Sequence, residues 1–338
     1  MVNGLLWGVV GASVQGAQHK LLSTPNQDAL GRYPAEGESG TLAVALADGH
    51  GYPKGVRAGI GATLAVQSAL DISKEDMMYI SNYHDAEVFL SKLAGELPAL
   101  WKERVLSDLS SSPLEKQDLE RLVGIYGHTV LNELNRRPEI IYGTTVMLAL
   151  CTPDYVMLAQ LGDGNILIVD AHGSISSPIQ DDTGLVANQT WSLSSPDTSS
   201  HFRVALLPVT NNKSNANHHR TQLAPELIMM ATDGYANSYV DYAGFELVGM
   251  DVLKLLRHYG IHAIQSQLPG WLESTSEYGS GDDITAAFIV QMSGIKTTKE
   301  HIFKDKPLDE VYSQMPGSIL KKSQVGKPSR DTGRASQS

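Results

Sequence analysis

The chain has 338 residues, 26 Lys and Arg against 37 Asp and Glu, a formal net charge of −11 and 42% hydrophobic residues. That length holds one large domain or two small ones with a core that needs no staples. The single cysteine, Cys151, excludes an intramolecular disulfide framework and a multi-cysteine zinc site, and the acidic balance argues against nucleic acid as the main partner.

In chain order, residues 5–15 and 41–47 are expected to be strands, the second (TLAVALA) apolar on both faces and therefore buried. Residues 54–71 are expected to form a helix that is small and apolar on one side, followed by helices near 85–107 and 114–135. Pro98 is expected to start or kink part of the first of these, and Arg137-Pro138 to stop the second. Strands return at 144–151, 155–161 and 165–170. The stretch 172–222 is rich in Ser, Asn, Asp and Pro, with a weak strand at 202–209. A strand at 226–231, helices near 249–259 and 261–273, and a last strand at 284–291 complete the pattern. Strands flanking a block of helices, with hairpin-like spacing, indicate a layered α+β fold on antiparallel sheets rather than a βαβ repeat.

Charge divides the chain. Residues 294–338 carry +4 and residues 1–293 carry −15, so 1–293 is taken as the folded domain and 294–338 as a polar, basic, largely disordered tail. The first residues lack both a basic segment and the long apolar stretch of a signal peptide, and no run is long enough to span a membrane. The expected protein is cytoplasmic and monomeric, with no nucleic-acid or membrane partner.

The chemical signal is an aspartate repeated at strand ends. Apolar strands run directly into Asp-Gly at Asp48 (LAVALADGHG), Asp163 (VMLAQLGDGN) and Asp233 (LIMMATDGYA). Asp282-Asp283 precedes the last strand, and Asp28 lies in TPNQDAL. One strand-end Asp-Gly is an ordinary turn. Repetition is different, because neighbouring strands that end together bring these acids to one edge. Carboxylates that close cannot all stay ionised without a cation. An oxygen-rich, thiol-free set suits Mg²⁺ or Mn²⁺.

The ordered set NQDA (26–29), ADGHG (47–51), YGTT (142–145), LGDG (161–164), ATDG (231–234) and GSGDDIT (279–285) resembles the metal-dependent protein phosphatases, the type 2C serine/threonine phosphatases. The segments GASVQGAQHKLLSTPNQDA, WKERV, VANQTWSLSSP and TDGYANSY look most like the bacterial branch. The resemblance covers about residues 7–291 and implies an α-β-β-α sandwich of two packed antiparallel sheets with a metal site at one end. It implies that Asp48 bridges two Mg²⁺ or Mn²⁺ ions and that Gly49 lends one of them its carbonyl. Asp233 and Asp282 then hold the other, and Asp163 helps hold a third, weaker one. Asp28 and Asp283 are implied as supporting acids beside the ligands. His50 matches a proposed general acid, the alternatives being a loop residue or a donor to a carboxylate. The segment 172–222 occupies the place of the family's flap.

One departure stands out. Ser23 occupies the position where many relatives carry a phosphate-gripping arginine. His19 is the favoured substitute, with Lys20, Arg32 and Arg57 as further options. Gly143-Thr144-Thr145, the tryptophans at 101, 191 and 271, and Cys151 are assigned to packing, and His218-His219 to an exposed loop. The implied activity is hydrolysis of phosphoserine and phosphothreonine by a metal-activated water without a phosphoenzyme. The partners are a phosphorylated protein and a cognate kinase or its targets. The alternatives are a catalytically weak member that binds phosphoproteins or regulates a kinase, and a hydrolase of a small phosphate ester.

Overall fold

The structure, a computed structural model, describes residues 5–50, 55–180, 190–209, 224–293, 295 and 308–313. In chain order the strands are β1 (Trp7–Val14), β2 (Asp28–Tyr33), β3 (Glu38–Ser39), β4 (Leu42–Asp48), β5 (Val146–Cys151), β6 (Tyr155–Leu161), β7 (Asn165–Asp170), β8 (Ile175–Ser176), β9 (Arg203–Pro208), β10 (Pro225–Ala231) and β11 (Ile284–Gln291). The helices are α1 (Ala17–Leu22), α2 (Ala58–Asp76), α3 (Tyr83–Ser111), α4 (Lys116–Tyr126), α5 (Thr129–Arg136), α6 (Asp233–Ala236), α7 (Tyr242–Tyr259), α8 (Ile261–Tyr278) and α9 (Leu308–Ser313).

The strands form two antiparallel sheets, ordered β3-β1-β11-β10-β7-β8 and β2-β4-β5-β6-β9. β4 is apolar at successive positions because both its faces are covered. Its even residues face the other sheet, where Leu42, Val44 and Leu46 join Trp7, Met147, Leu158, Ile228 and Ile289. Its odd residues, Ala43, Ala45 and Ala47, face the small side chains of α2 and, beyond them, Leu93, Leu97 and Trp101 of α3. The outer face of the first sheet is covered by α7 and α8 through Phe245, Val252, Leu268 and Trp271. Helix, sheet, sheet and helix therefore stack in four layers, the α+β sandwich expected.

Two expectations are corrected. Helix α3 begins at Tyr83 and continues through Pro98, so Pro98 does not start it. The buried Leu97 and Trp101 on either side fix it to the core, and Trp101 Nε1 donates to Gly61 O at 3.0 Å. The expected helix 114–135 is two helices, α4 and α5. Gly127 takes a φ of +72° and its N–H bonds back to Val123 O at 2.8 Å, which ends α4. After residue 293, the described helix α9 also contributes to the packing. Tyr312 on α9 is buried and stacks on Trp271 with ring centroids 4.1 Å apart. His218-His219 and most of the tail lie outside the described residues.

Two local devices matter below. The first is the approach of α2 to the turn Pro138–Tyr142, where a Cβ at Gly61 would lie 1.9 Å from Tyr142 O. Gly61→Ala is expected to destabilise the protein by about 3 kcal/mol in denaturant unfolding, through overpacking against a backbone that cannot retreat. An unchanged midpoint would show that α2 shifts freely. The second is at β1, where Gln265 of α8 satisfies both backbone groups of Gly11. Gly11 N donates to Gln265 Oε1 at 3.1 Å and Gln265 Nε2 donates to Gly11 O at 3.0 Å. The carboxamide stands in for a neighbouring strand.

Candidate metal centre

The acids collect where the strands of both sheets end. The β2–β4 register sets Asp28 opposite Asp48. On the other sheet β10 and β11 pair at Ala231 and Ala286, so the chain leaves one strand into Asp233 and enters the other from Asp282-Asp283. Asp163 follows Gly162, whose φ of +104° turns the chain between β6 and β7.

Asp48 is held through its backbone. Thr145 N and Thr144 Oγ1 both donate to Asp48 O at 2.9 Å, and Asp48 N donates to Thr145 Oγ1 at 3.0 Å. Thr144 is itself held by residues within the stretch 172–222: its N–H donates to Ser192 Oγ at 3.0 Å, and its carbonyl accepts from Leu193 N at 2.9 Å. Gly49 is buried, and a Cβ there would lie 2.5 Å from Gln27 O, so the turn after Asp48 admits no side chain. Asp28 Oδ2 accepts from Thr232 Oγ1 at 2.8 Å, and Thr285 N donates to the same hydroxyl at 2.9 Å, which ties the acid to the ends of β10 and β11.

The electrostatics fit a cation. Burial raises the Asp28 carboxyl to about 8, against the hydrogen bonds of Thr285 and Thr232 and helped by Asp283 and Asp282. Burial, then the charges of Asp28 and Asp233, lift Asp48 well above the usual carboxylate range. Burial and the nearby Asp163 raise Asp233, which shares a hydrogen bond with Asp48. Carboxyls crowded in this way repel one another when charged. A divalent cation removes the repulsion, and an all-oxygen set suits Mg²⁺ or Mn²⁺.

Asp282 is exposed and Asp283 buried. Asp283 accepts from Gly16 N and Gln27 N, each at 2.7 Å, and so ties the N-terminal loops to β11. His19 on α1 brings Nδ1 to 2.9 Å from Asp283 Oδ2 and Nε2 to 3.8 Å from Asp282 Oδ1. Ligand atoms of these three residues lie within 4.8 Å of one another, the grouping of that kind found among the described residues. Ser23 is exposed, with a φ of +56° at the end of α1. His50 is anchored by its N–H to Gly143 O at 3.0 Å, and burial lowers its pKa against the pull of Asp163.

The other basic candidates are placed as follows. Arg57 donates to Asp108 Oδ2 at 3.0 Å, to Tyr142 Oη at 2.7 Å and to Pro113 O at 3.1 Å, so its guanidinium is committed to the scaffold. Lys20 pairs with Glu273 at 3.2 Å. Arg32 is exposed, four residues along β2 from Asp28. The positioning work of Thr144, Thr145, Thr232 and Asp283 is not apparent from composition. The signal was the YGTT, ATDG and GDD segments themselves, whose threonines and second aspartate turn out to hold the neighbouring acids.

A sequence model of one family, described as Protein phosphatase 2C, matches residues 15–273. No curated protein matches the chain. Among solved structures, that of a bacterial serine phosphatase bearing a point substitution is similar with a TM-score of 0.50 and 14% identity, over 83% of this chain and 97% of that one. The catalytic domain of the serine/threonine protein phosphatase PstP, in complex with two manganese ions, gives a TM-score of 0.50 at 15% identity, over 85% of this chain and 98% of that one. At these identities the likeness is one of fold.

Proposed function

The chain belongs to the protein phosphatase 2C family, and on that premise we propose that it hydrolyses phosphoserine and phosphothreonine in proteins by direct attack of water. The observation that carries this reading is the convergence of Asp28, Asp48, Asp233 and Asp282 at the strand ends of two sheets, where Thr232 at the end of β10 donates to Asp28 at 2.8 Å and Asp28 stands opposite Asp48. Asp48, the Gly49 carbonyl, Asp233 and Asp282 would hold two divalent cations, and Asp163 a third, weaker one. When bound, Mg²⁺ or Mn²⁺ supplies Lewis-acid chemistry, lowering the pKa of water and offsetting phosphate charge. The PstP structure, with its two manganese ions, supports that choice of cation.

The chain's own groups do the rest. Asp28, fixed by Thr232, accepts a hydrogen bond from the attacking water. Asp283 and His19 orient Asp282. His50, in its protonated form, which Asp163 favours and burial opposes, gives its proton to the departing serine or threonine oxygen. The one cysteine supports direct hydrolysis over a thiol phosphoenzyme, since Cys151 is fully buried in a strand and burial pushes its thiol up. The partners are phosphorylated proteins and a kinase or its targets, met by a single copy of the chain in the cytoplasm. Among the described residues no helix is long and apolar enough to cross a membrane.

One observation favours a second reading. Both nitrogens of His19 face carboxylates, so with Ser23 in place of arginine the site, among the described residues, lacks a bidentate phosphate grip. A catalytically weak member that binds phosphoproteins fits that feature. The test is phosphate release from a phosphothreonine peptide with Mn²⁺, with Mg²⁺ and with chelator, for wild type, Asp282→Ala and His50→Ala. Cation-dependent release, lost in Asp282→Ala, is expected. His50→Ala is expected to slow alkyl phosphates about 10²-fold and aryl phosphates far less, because only the poorer leaving group needs the proton. Equal losses would remove His50 from that role. A folded wild type that binds Mn²⁺ and releases nothing would establish the second reading.

A further inference from the structure

β2 is the end strand of its sheet, paired among the described residues with β4 alone. Gly49 N donates to Gln27 O at 3.1 Å, so residues 27 and 49 form a hydrogen-bonded pair. Antiparallel ladders alternate, so Ala29, Gly31 and Tyr33 bond inward to β4. Leu30 and Arg32 therefore turn N–H and C=O outward. Asp28 N also points out and is met by Asn26 Oδ1 at 2.9 Å.

That open edge faces a cleft of about 640 Å³, walled by Gly11 and Ser13 of β1 and by Thr63 and Leu70 of α2, with the β2 residues from Asp28 to Arg32 along it. The cleft begins at an acid of the metal centre. At its far end it meets a second depression that shares Arg32 and adds Lys74, Arg104 and the single acid Asp71. Arg104 pairs with Asp71 at 2.6 Å and Arg32 Nε donates to Ala35 O at 3.0 Å, which leaves Lys74 and the rest of the Arg32 guanidinium to face an acid, on a chain of net charge −11.

We propose that the open edge of β2 receives an extended segment of the phosphorylated protein as an added strand, with an acidic side chain of that segment directed to Arg32. The inference rests on the phosphatase reading above. An unpaired edge offers main-chain hydrogen bonds to any sequence, while flanking side chains choose among them. At about 3.3 Å per residue, Arg32 lies about 13 Å from Asp28, so the preferred acid falls about four positions from the phosphorylated residue. The edge strand thus delivers the phosphate to the acids and measures the distance to a second negative charge.

The test uses the full chain with Mn²⁺, p-nitrophenyl phosphate as a substrate without a backbone, and a set of phosphothreonine peptides carrying one backbone N-methyl group at successive positions. N-methylation is expected to lower kcat/KM about tenfold at alternate positions and less than about twofold between them, since it removes one hydrogen bond of an added strand. Glutamate four positions from the phosphothreonine is expected to be favoured over lysine about fivefold, and Arg32→Glu to invert that ratio. A phosphonate analogue of the peptide should slow amide exchange at Leu30 and Arg32 at least about tenfold. Release from both substrates with uniform tolerance of N-methylation would overturn the docking alone. Release from neither would overturn the phosphatase reading and the docking with it. A dimer in sedimentation that the peptide does not dissociate would assign the edge to a second copy and likewise overturn the proposal.

Discussion

Asp48→Asn is expected to lower phosphate release from a phosphothreonine peptide by about 10³-fold or more, and to raise the thermal midpoint of the cation-free protein. The two effects have one cause. Asp48 is lifted well above the usual carboxylate range by burial and then by Asp28 and Asp233, so its charge is costly until a cation offsets it. Asparagine keeps the volume and can still bond to Asp233, and its neutral amide removes the repulsion. The gain should be about 1 kcal/mol, held down because the side chain is only half-buried, and visible as about 3 °C. The same amide is a poor ligand, so the rise in midpoint on adding Mn²⁺ should shrink as activity disappears. A variant that keeps wild-type turnover, or that melts lower than wild type in chelator, would remove Asp48 from the centre.

The second large effect is in pH. Asp28 is held at about 8 in the folded chain, against an ordinary value of 3.8. Between those values the folded state keeps a proton that the unfolded state releases. Stability is therefore greatest below about pH 4 for this group and falls as pH rises to about 8. Protein in chelator should melt lower at pH 8 than at pH 5.5, the reverse of what a salt-bridged carboxylate produces. The half-buried Asp28 should account for about 1–2 kcal/mol after solvent screening, and Asp48 and Asp233 should add in the same direction. Saturating Mn²⁺ should flatten the dependence, since the cation takes the proton's place. A midpoint in chelator that climbs with pH would show that these acids are not crowded.

The long strands were legible because burial on both faces leaves an unbroken apolar run, as in LAVALA of β4 or VMLALC of β5. β2 escaped notice for the opposite reason. DALGRY lies at a sheet edge, where Asp28 and Arg32 meet solvent and Gly31 makes room for Val66 of α2. Helix α1 is a single turn and a half with Leu21 and Leu22 exposed, so it carries no periodic signal. Asp48, Asp163, Asp233 and Asp282 were legible because Asp-Gly or Asp-Asp stands at a strand end, and Asp28 only through the NQDA segment. The groups that hold them were not. Thr232 reaches Asp28 across 204 residues and Thr144 reaches Asp48 across 96, separations that leave no spacing to read. The place of His19 beside Asp282 and Asp283 was not legible either, since only the folded chain brings the three together.

The carboxamide of Gln265 has a consequence for turnover. Two strand edges look into the cleft beside Asp28, β1 from one sheet and β2 from the other. Were both available, an entering chain would be pinned along both flanks, and its dephosphorylated form would leave slowly. Gln265 occupies the backbone of Gly11 on the β1 side, so a docked chain has one rail to run on. Half the ladder means a shorter residence time for the product, because affinity among related complexes is set mainly by how fast they come apart. A hold of that kind aligns a phosphorylated segment for one cleavage and then lets it go.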